Sequence, residues 1–383
     1  MREKYIVLRD TRGHRTRGDQ SFAPSDIEVG MEDLLVEQTF ERSRDDSLIA
    51  LAPAMPVALV APNVSPPAEP PTEGVAWGIC AVGADRSRFS GAGVTVAVLD
   101  TGINGNHPAF ANVLMNPMNF TKEPAGDFNG HGTHCAGAIF GRAVHGTRIG
   151  VAPGVRSALI GKVLTKDGSG SSEHVAQAIL WAVNNGALVV LMSLGIDFPG
   201  YVESLVARGD LPLKAATSRA LDGFRKNLLL FERVYALVRT LAPKCVLIAA
   251  AGNESQRRQN ASYRISVAAP AVFEGIVSVG AVARAEGGLE VASFSNTGPS
   301  VVAPGVDIHS ADARTDGLIS MQGTSMAAPH AAGVAALWAQ MLRDNDRLND
   351  GQLAAMLRAH ARVDSLKPGY FPGDVGAGIV MAP

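Results

Sequence analysis

Three short stretches of the chain carry residue types that could do chemistry: VTVAVLD, which ends on Asp100; NGHGTHCAG, with His131 and His134; and GTSMAAPH, with Ser325. A carboxylate at the end of a buried strand needs partners, because an unpaired buried charge is costly. Taken alone, Asp100 reads as a helix cap or a turn residue. Two histidines three apart could bind a metal, but no glutamate follows in the H-E-x-x-H pattern and no third ligand is evident. An imidazole positioned by a carboxylate fits better, since the acid holds one tautomer and stabilises the ring when it gains a proton. Ser325 opens a run of small residues that reads as a helix passing through the interior. Pro329 is read within the first turn of that helix, where its missing N–H would have had no partner. The serine is an N-cap, or it is a nucleophile placed where exposed N–H groups and the helix dipole favour developing negative charge.

The surrounding sequence supplies elements able to hold these side chains. Apolar runs at 94–99, 157–164, 187–194, 245–251 and 276–282 show no polar alternation, the mark of strands buried on both faces. Between two of them, SSEHVAQAILWAVNNGA puts Val175, Ala178, Ile179, Ala182 and Val183 on one helical face, with Ser171 or Ser172 as N-cap and Gly186 as stop. Strands alternating with helices predict an α/β domain with a mainly parallel sheet and ligands at the carboxyl ends of its strands. In the long stretch 197–243, Leu221, Phe224, Leu228, Phe231, Tyr235, Val238 and Leu241 step by threes and fours and predict one amphipathic helix of about six turns.

Composition narrows the function. Lys and Arg total 34 against 36 Asp and Glu, a formal net charge of −2, with no basic block, so nucleic-acid binding has no electrostatic support. No stretch approaches the roughly 20 apolar residues that span a bilayer. The apolar run at 5–8 is too short for a signal-peptide core, so the expected location is cytoplasmic, or exported without a recognisable signal peptide. Cys80, Cys135 and Cys245 match no zinc spacing. No cofactor is implied.

Four blocks, VAVLDTGINGNHP, NGHGTHCAGAI, LIAAAGNES and GTSMAAPHAAGVAAL, together with ASFSNTGPSVVAPGVDI, resemble the signature segments of the subtilisin-like serine peptidases. The resemblance runs from about residue 75 to the C-terminus. It implies a three-layer subtilisin-like fold, with Ser325 as nucleophile, His131 as general base and acid, Asp100 orienting His131, and the Asn253 side chain with the Ser325 N–H binding the oxyanion. His134 and His330 match structural positions. Gly168, Ser169 and Gly170 on one side and Ser193, Leu194 and Gly195 on the other would pair an extended polypeptide substrate as an added strand. Residues 268–271 would floor an uncharged primary pocket, favouring neutral or apolar residues before the cut. The alternative is a catalytically restricted or inactive scaffold of the same fold, or a protein that processes only itself. An α/β-hydrolase esterase needs a G-x-S-x-G elbow, and position 327 is alanine.

Three departures from the family stand out. Many subtilisins hold calcium in the loop after the histidine helix. Here that loop carries Arg142, Val144, His145 and Arg148, and the partner acidic position is Ala109, so no metal is expected there. The stretch 197–243 is longer than in common members; it could shape access to the groove, but the favoured expectation is that it only lengthens a surface helix. Cys135, one turn after His131, is read as a small buried residue, with redox or mercurial sensitivity as the sharper alternative. Residues 1–73, with a proline-rich linker at 61–73, occupy the place of the family's propeptide, ahead of a catalytic domain at 74–383. By position they would form an intramolecular inhibitor and folding aid, with self-cleavage expected within 66–76.

Overall fold

The computed structural model describes residues 2–12, 26–60, 74–209 and 211–383. The chain begins with β1 (Arg2–Asp10), β2 (Ile27–Leu35), helix α1 (Val36–Arg42), β3 (Leu48–Pro53) and β4 (Pro56–Leu59). Strands β1 to β3 form an antiparallel sheet with β1 in the middle. The two strands that follow α1 have different fates: β3 completes this small sheet, and β4 leaves it.

From β5 onward strands and helices alternate: β5 (Thr95–Asp100), β6 (Leu114–Asn119), α2 (His131–Phe140), β7 (Ser157–Lys162), β8 (Ser169–Ser171), α3 (Ser172–Asn184), β9 (Val189–Met192), β10 (Leu194–Ile196), α4 (Phe198–Gly209), α5 (Leu213–Leu241), β11 (Val246–Ala250), β12 (Val277–Ala285), β13 (Gly288–Val291), β14 (Val301–Pro304) and α6 (Thr324–Asp344). The central sheet has eight strands in the order β13-β12-β11-β9-β5-β7-β6, with β14 also paired to β12. All pairs are parallel except β12 with β13. The five continuous apolar runs are five of its strands.

Burial explains the layering. Along β5, Val96 and Val98 join the cluster that packs under α2 and α6, while Ala97 and Leu99 join the cluster under α3 and α5. The period of two in a strand sends alternate side chains to opposite faces, and here both faces are covered. Ile6, Leu8 and Ala52 of the N-terminal sheet belong to the second cluster, packed with Leu230, Phe231 and Val234 of α5. The small sheet is therefore a further layer on the outside of α3 and α5. Burying Ile6 and Leu8 completely stabilises that contact by roughly 1.5–3 kcal/mol each.

The stretch 197–243 corrects the expectation of one six-turn helix. It holds two helices, α4 and the 29-residue α5, and α5 begins eight residues before the apolar stripe at Leu221 becomes readable.

The loop after α2 does not suit a cation. The guanidinium of Arg142 donates to the carbonyls of Phe140 (2.9 Å), Val155 (2.9 Å) and Pro153. Arg148 donates to Gly150 (3.3 Å), Ala84 (3.1 Å) and Val151 (3.1 Å). Carbonyl oxygens of the kind calcium prefers are already taken by two fixed positive charges, and Ala109 adds no carboxylate. Two consequences are expected. Chelators should leave the thermal midpoint unchanged, and Arg142→Met should lower stability by about 1–3 kcal/mol, because buried carbonyls lose their donors. Thermal melts with and without EDTA check both.

Candidate active site

The residues singled out from sequence gather at the carboxyl ends of the parallel strands. Asp100 closes β5 and is buried, at 1% exposure. Its Oδ1 and Oδ2 lie 2.8 and 3.0 Å from Nδ1 of His131, and Oδ1 also accepts the Thr101 N–H at 2.7 Å. A carboxylate only accepts, so the neutral ring carries its proton on Nδ1 and keeps the lone pair on Nε2. His131 is the first residue of α2. The helix can come this close to β5 because position 132 is glycine: a Cβ there would stand 2.2 Å from the Gly102 carbonyl oxygen and 3.2 Å from Asp100 Cβ. Burial alone would lower the pKa of His131, but the adjacent Asp100 charge and its hydrogen bond outweigh burial and hold it well above the usual histidine value.

His134 and His330 behave differently. His134 Nε2 meets the Ile308 carbonyl at 2.9 Å, and His330 Nδ1 meets the Met326 carbonyl at 2.8 Å. Without a carboxylate partner, burial dominates and brings them down to about 3 and about 4, so both rings are neutral.

Ser325 is the second residue of α6, which starts at Thr324. This corrects the position of Pro329, the sixth residue of the helix and not part of its first turn. A proline there removes the N–H that would have bonded the carbonyl four residues earlier, which is that of Ser325. Two side chains supply the missing donors: the Cys135 thiol and the Ser193 hydroxyl each lie 3.4 Å from the Ser325 carbonyl oxygen. Cys135 Sγ is also 3.7 and 4.0 Å from the two ring nitrogens of His131. The thiol is therefore a joint between the two helices that carry His131 and Ser325. Burial pushes its pKa up, which keeps it protonated and able to donate.

Asn253 lies just past β11. Its Oδ1 accepts from both the N–H and the hydroxyl of Thr324, each at 2.9 Å, which leaves its Nδ2 facing the Val60 carbonyl at 3.5 Å. The Thr324 hydroxyl in turn accepts from the Gly252 N–H at 3.1 Å. Sequence reasoning passed over Thr324, although it is the residue immediately before Ser325.

It also passed over Asp127, four residues before His131. That half-buried carboxylate accepts from Thr101 Oγ1 (2.8 Å), from the N–H groups of Asn129 (3.1 Å) and Gly130 (2.8 Å), and from both the N–H (2.9 Å) and hydroxyl (2.7 Å) of Thr133. Thr101 Oγ1 accepts the Gly132 N–H at 3.0 Å, so the Asp127 network ties the start of α2 to the end of β5. Burial raises the pKa of Asp127, but these donors more than offset it and the net shift is downward. A depressed carboxylate contributes stability above its unfolded value of about 3.9 and loses it as pH falls through the lower folded value. Asp127→Asn is expected to cost about 2–3 kcal/mol at neutral pH and to flatten the acid limb of stability, as read by urea melts between pH 3 and 7.

The groove is filled by the chain itself. Strand β4 lies between β8 and β10, antiparallel to both, with Ala58 opposite Ser169 on one side and Gly195 on the other. The Leu59 N–H donates to the Gly168 carbonyl at 2.7 Å, and the Val60 N–H to that of Ser193 at 3.4 Å. The next carbonyl, that of Val60, accepts the Ser325 hydroxyl at 3.0 Å and lies 3.5 Å from Asn253 Nδ2. The Val60 side chain is buried: a Cβ added to Gly195 would stand 3.9 Å from Val60 Cγ2 and 3.6 Å from Ala268 Cβ. Most of the window 66–76 lies outside the described residues, and the segment held in the groove is 56–60. Among the described residues, the one cluster of potential metal ligands is Asp100, His131 and Cys135, in which the carboxylate and the imidazole already satisfy each other.

Comparison with known proteins agrees with this architecture. The sequence matches the Peptidase S8 subtilase family over residues 91–378, and the chain belongs to that family of serine peptidases. It is 35% identical over 269 residues to a thermostable alkaline protease of Halalkalibacterium halodurans, covering 69% of this chain and 62% of that protein. It is 34% identical over 271 residues to subtilisin DY of Bacillus licheniformis, covering 69% of this chain and 84% of that protein. With the major intracellular serine protease of Bacillus subtilis it shares 35% identity over 260 residues, covering 64% of this chain and 68% of that one. No helix among the described residues is long and apolar enough to cross a membrane.

Proposed function

We propose that the chain is a serine endopeptidase acting on polypeptides through Asp100, His131 and Ser325, and that its first 60 residues are its own product, held in the groove as an inhibitor. The observation that carries this is the Val60 carbonyl, sited between the Ser325 hydroxyl and the Asn253 amide at the end of a strand hydrogen-bonded on both sides. A peptide to be cut would lie the same way, its scissile carbonyl where that of Val60 now lies.

The reaction follows from the donors and acceptors. Ser325 Oγ attacks the carbonyl carbon while His131 Nε2 takes its proton, and the ring becomes an imidazolium stabilised by Asp100 on Nδ1. The negative charge moves to the carbonyl oxygen, where Asn253 Nδ2 and the Ser325 N–H receive it. That N–H is available because the first turn of a helix has no intrahelical acceptors. Collapse of the tetrahedral species breaks the C–N bond, and the imidazolium proton goes to the departing amine. A water then repeats the sequence on the acyl-enzyme and releases the carboxylate with Ser325 restored.

Substrate preference follows from the occupant. Its last four residues are Val57, Ala58, Leu59 and Val60, with Val57 and Val60 buried. Neutral, apolar residues are therefore favoured at the first and fourth positions before the cut, and the bond broken during maturation is Val60–Ala61, upstream of the 66–76 window. The test compares Val-Ala-Leu-Val chromogenic peptide with versions carrying Asp or Lys at the last position. Hydrolysis of the first at least tenfold faster supports the reading. No hydrolysis of any peptide, or of casein, by self-processed protein freed of its N-terminal fragment would favour a protein that processes only itself, and no self-cleavage either would favour an inactive scaffold.

A further inference from the structure

Asn253 follows Ala249, Ala250, Ala251 and Gly252, a run with little side-chain bulk to fix its own backbone. Thr324 holds the Asn253 side chain, but its main chain is held from elsewhere. Asn296 lies in the connection between β13 and β14 and is fully buried. Its Oδ1 accepts the N–H groups of Glu254 and Ser255, each at 3.1 Å, and the Ser255 hydroxyl at 3.3 Å. Its Nδ2 faces the carbonyls of Ala251 and Ser266, each at 3.2 Å, and the Glu254 carboxylate at 2.6 Å. Its own N–H donates to the Gly252 carbonyl at 3.1 Å. The two residues before Asn253 and the two after it are therefore all bonded to this one residue.

The amide chemistry is specific. Oδ1 meets only donors and Nδ2 only acceptors, so an aspartate of the same shape would set a carboxylate against three oxygens. Gly252 makes the room for it. Its φ is +112°, and a Cβ there would stand 2.2 Å from Asn296 Nδ2 and 2.5 Å from the Glu254 carboxylate. A buried polar network with every member satisfied is rigid. Rigidity is what a donor to a developing charge needs, because a group already in place spends nothing on reorientation during the reaction. The tolerance for such placement is about 0.5 Å.

Resting on the reading of Asn253 as an oxyanion donor, we propose that Asn296 is a positioning residue of the oxyanion site. It holds residues 251–255 so that the Asn253 amide is already aimed at the carbonyl oxygen when Ser325 attacks. Asn296 acts only through the loop, so its effect on the chemical step exists only while Asn253 is there to be placed.

The experiment follows self-cleavage of the full chain by mass, as a first-order rate, in wild type, Asn253→Ala, Asn296→Ala and the double variant, with thermal melts of each. Asn253→Ala should slow cleavage by about 10²–10³-fold. Asn296→Ala should slow it at least tenfold when Asn253 is present and less than threefold when it is absent, since a misplaced donor and a missing donor cost the reaction the same interaction. Such non-additivity is the signature of coupled residues, and a general loss of structure would slow both backgrounds alike. Asn296→Asp keeps an oxygen for the three donors to Oδ1 and should show the same dependence on Asn253, which guards against poor folding of the alanine variant. Equal slowing in both backgrounds, unchanged rates, or failure of both variants to fold would overturn the proposal and leave the oxyanion reading intact. An Asn253→Ala form that cleaves as fast as the wild type would overturn that reading and the proposal with it.

Discussion

Ser325→Ala is expected to yield a single uncut chain with hydrolysis reduced about a million-fold, the magnitude characteristic of subtilisin when its nucleophilic serine is removed. The substitution deletes one oxygen from a fully buried site and leaves Cys135 and Ser193 bonded to the backbone carbonyl of residue 325. The variant should therefore fold with β4 in its groove and melt no lower than wild type before processing. Active-site labelling by an organophosphonate, with peptide hydrolysis, separates this from general damage. Labelling should disappear while the melting profile stays. An alanine variant that still cleaved itself would mean that another group attacks Val60.

Asp100→Asn should lower kcat about 10⁴-fold near neutral pH. Asparagine can occupy the same space, but its amide can donate to Nδ1 and so stabilise the tautomer that puts the ring proton on Nε2. His131 could not then accept the proton of Ser325. The pH profile carries a second signature. His131 must be neutral to act as base, and in the wild type Asp100 raises its pKa, so activity falls as pH drops through that raised value. Without the carboxylate, burial loses its main opponent and the imidazole pKa falls. The residual activity of the variant should therefore have its acid limb at lower pH than the wild type. A wild-type plateau with no acid limb shift between the two proteins would contradict the Asp100–His131 coupling.

Much of this site was legible because its chemistry sits in contiguous blocks. Asp100 closes a strand, His131 and Ser325 open helices, and the five inner strands are unbroken apolar runs because both faces of the sheet are covered. Edge elements gave no such signal. Strand β6, LMNPMN, is largely exposed, and Pro117 is tolerated in it because an edge strand need not donate on both sides. The start of α5 was missed for a different reason. Its inward residues, Ala216 and Ala220, are small, so no wide apolar stripe marks the helix. Their smallness makes sense only against Met55, more than 150 positions earlier. Helix α4 begins Phe-Pro-Gly, which reads as a turn.

The placement of 56–60 was hidden by distance along the chain. Its pairing partners on β8 and β10 lie beyond residue 165, and nothing in an apolar pentapeptide says which edges it will bridge. The same holds for Asp127 and Thr324. Each acts through hydrogen bonds to residues brought near by the fold, and each looks like an ordinary loop or cap residue in the sequence. Pro329 is the reverse case. Its position in the helix was misjudged, yet the carbonyl it frees explains why a thiol and a hydroxyl are held beneath Ser325.

The most direct test is the mass and N-terminal sequence of the purified protein after incubation, beside its Ser325→Ala form. The account predicts two species from the wild type, one beginning at Ala61 or trimmed further toward Gly74 and one ending at Val60, with the alanine form remaining at 39.9 kDa. A wild-type chain that stays whole while hydrolysing peptides at full rate would contradict it, because an uncut Val60 in the groove leaves no room for substrate.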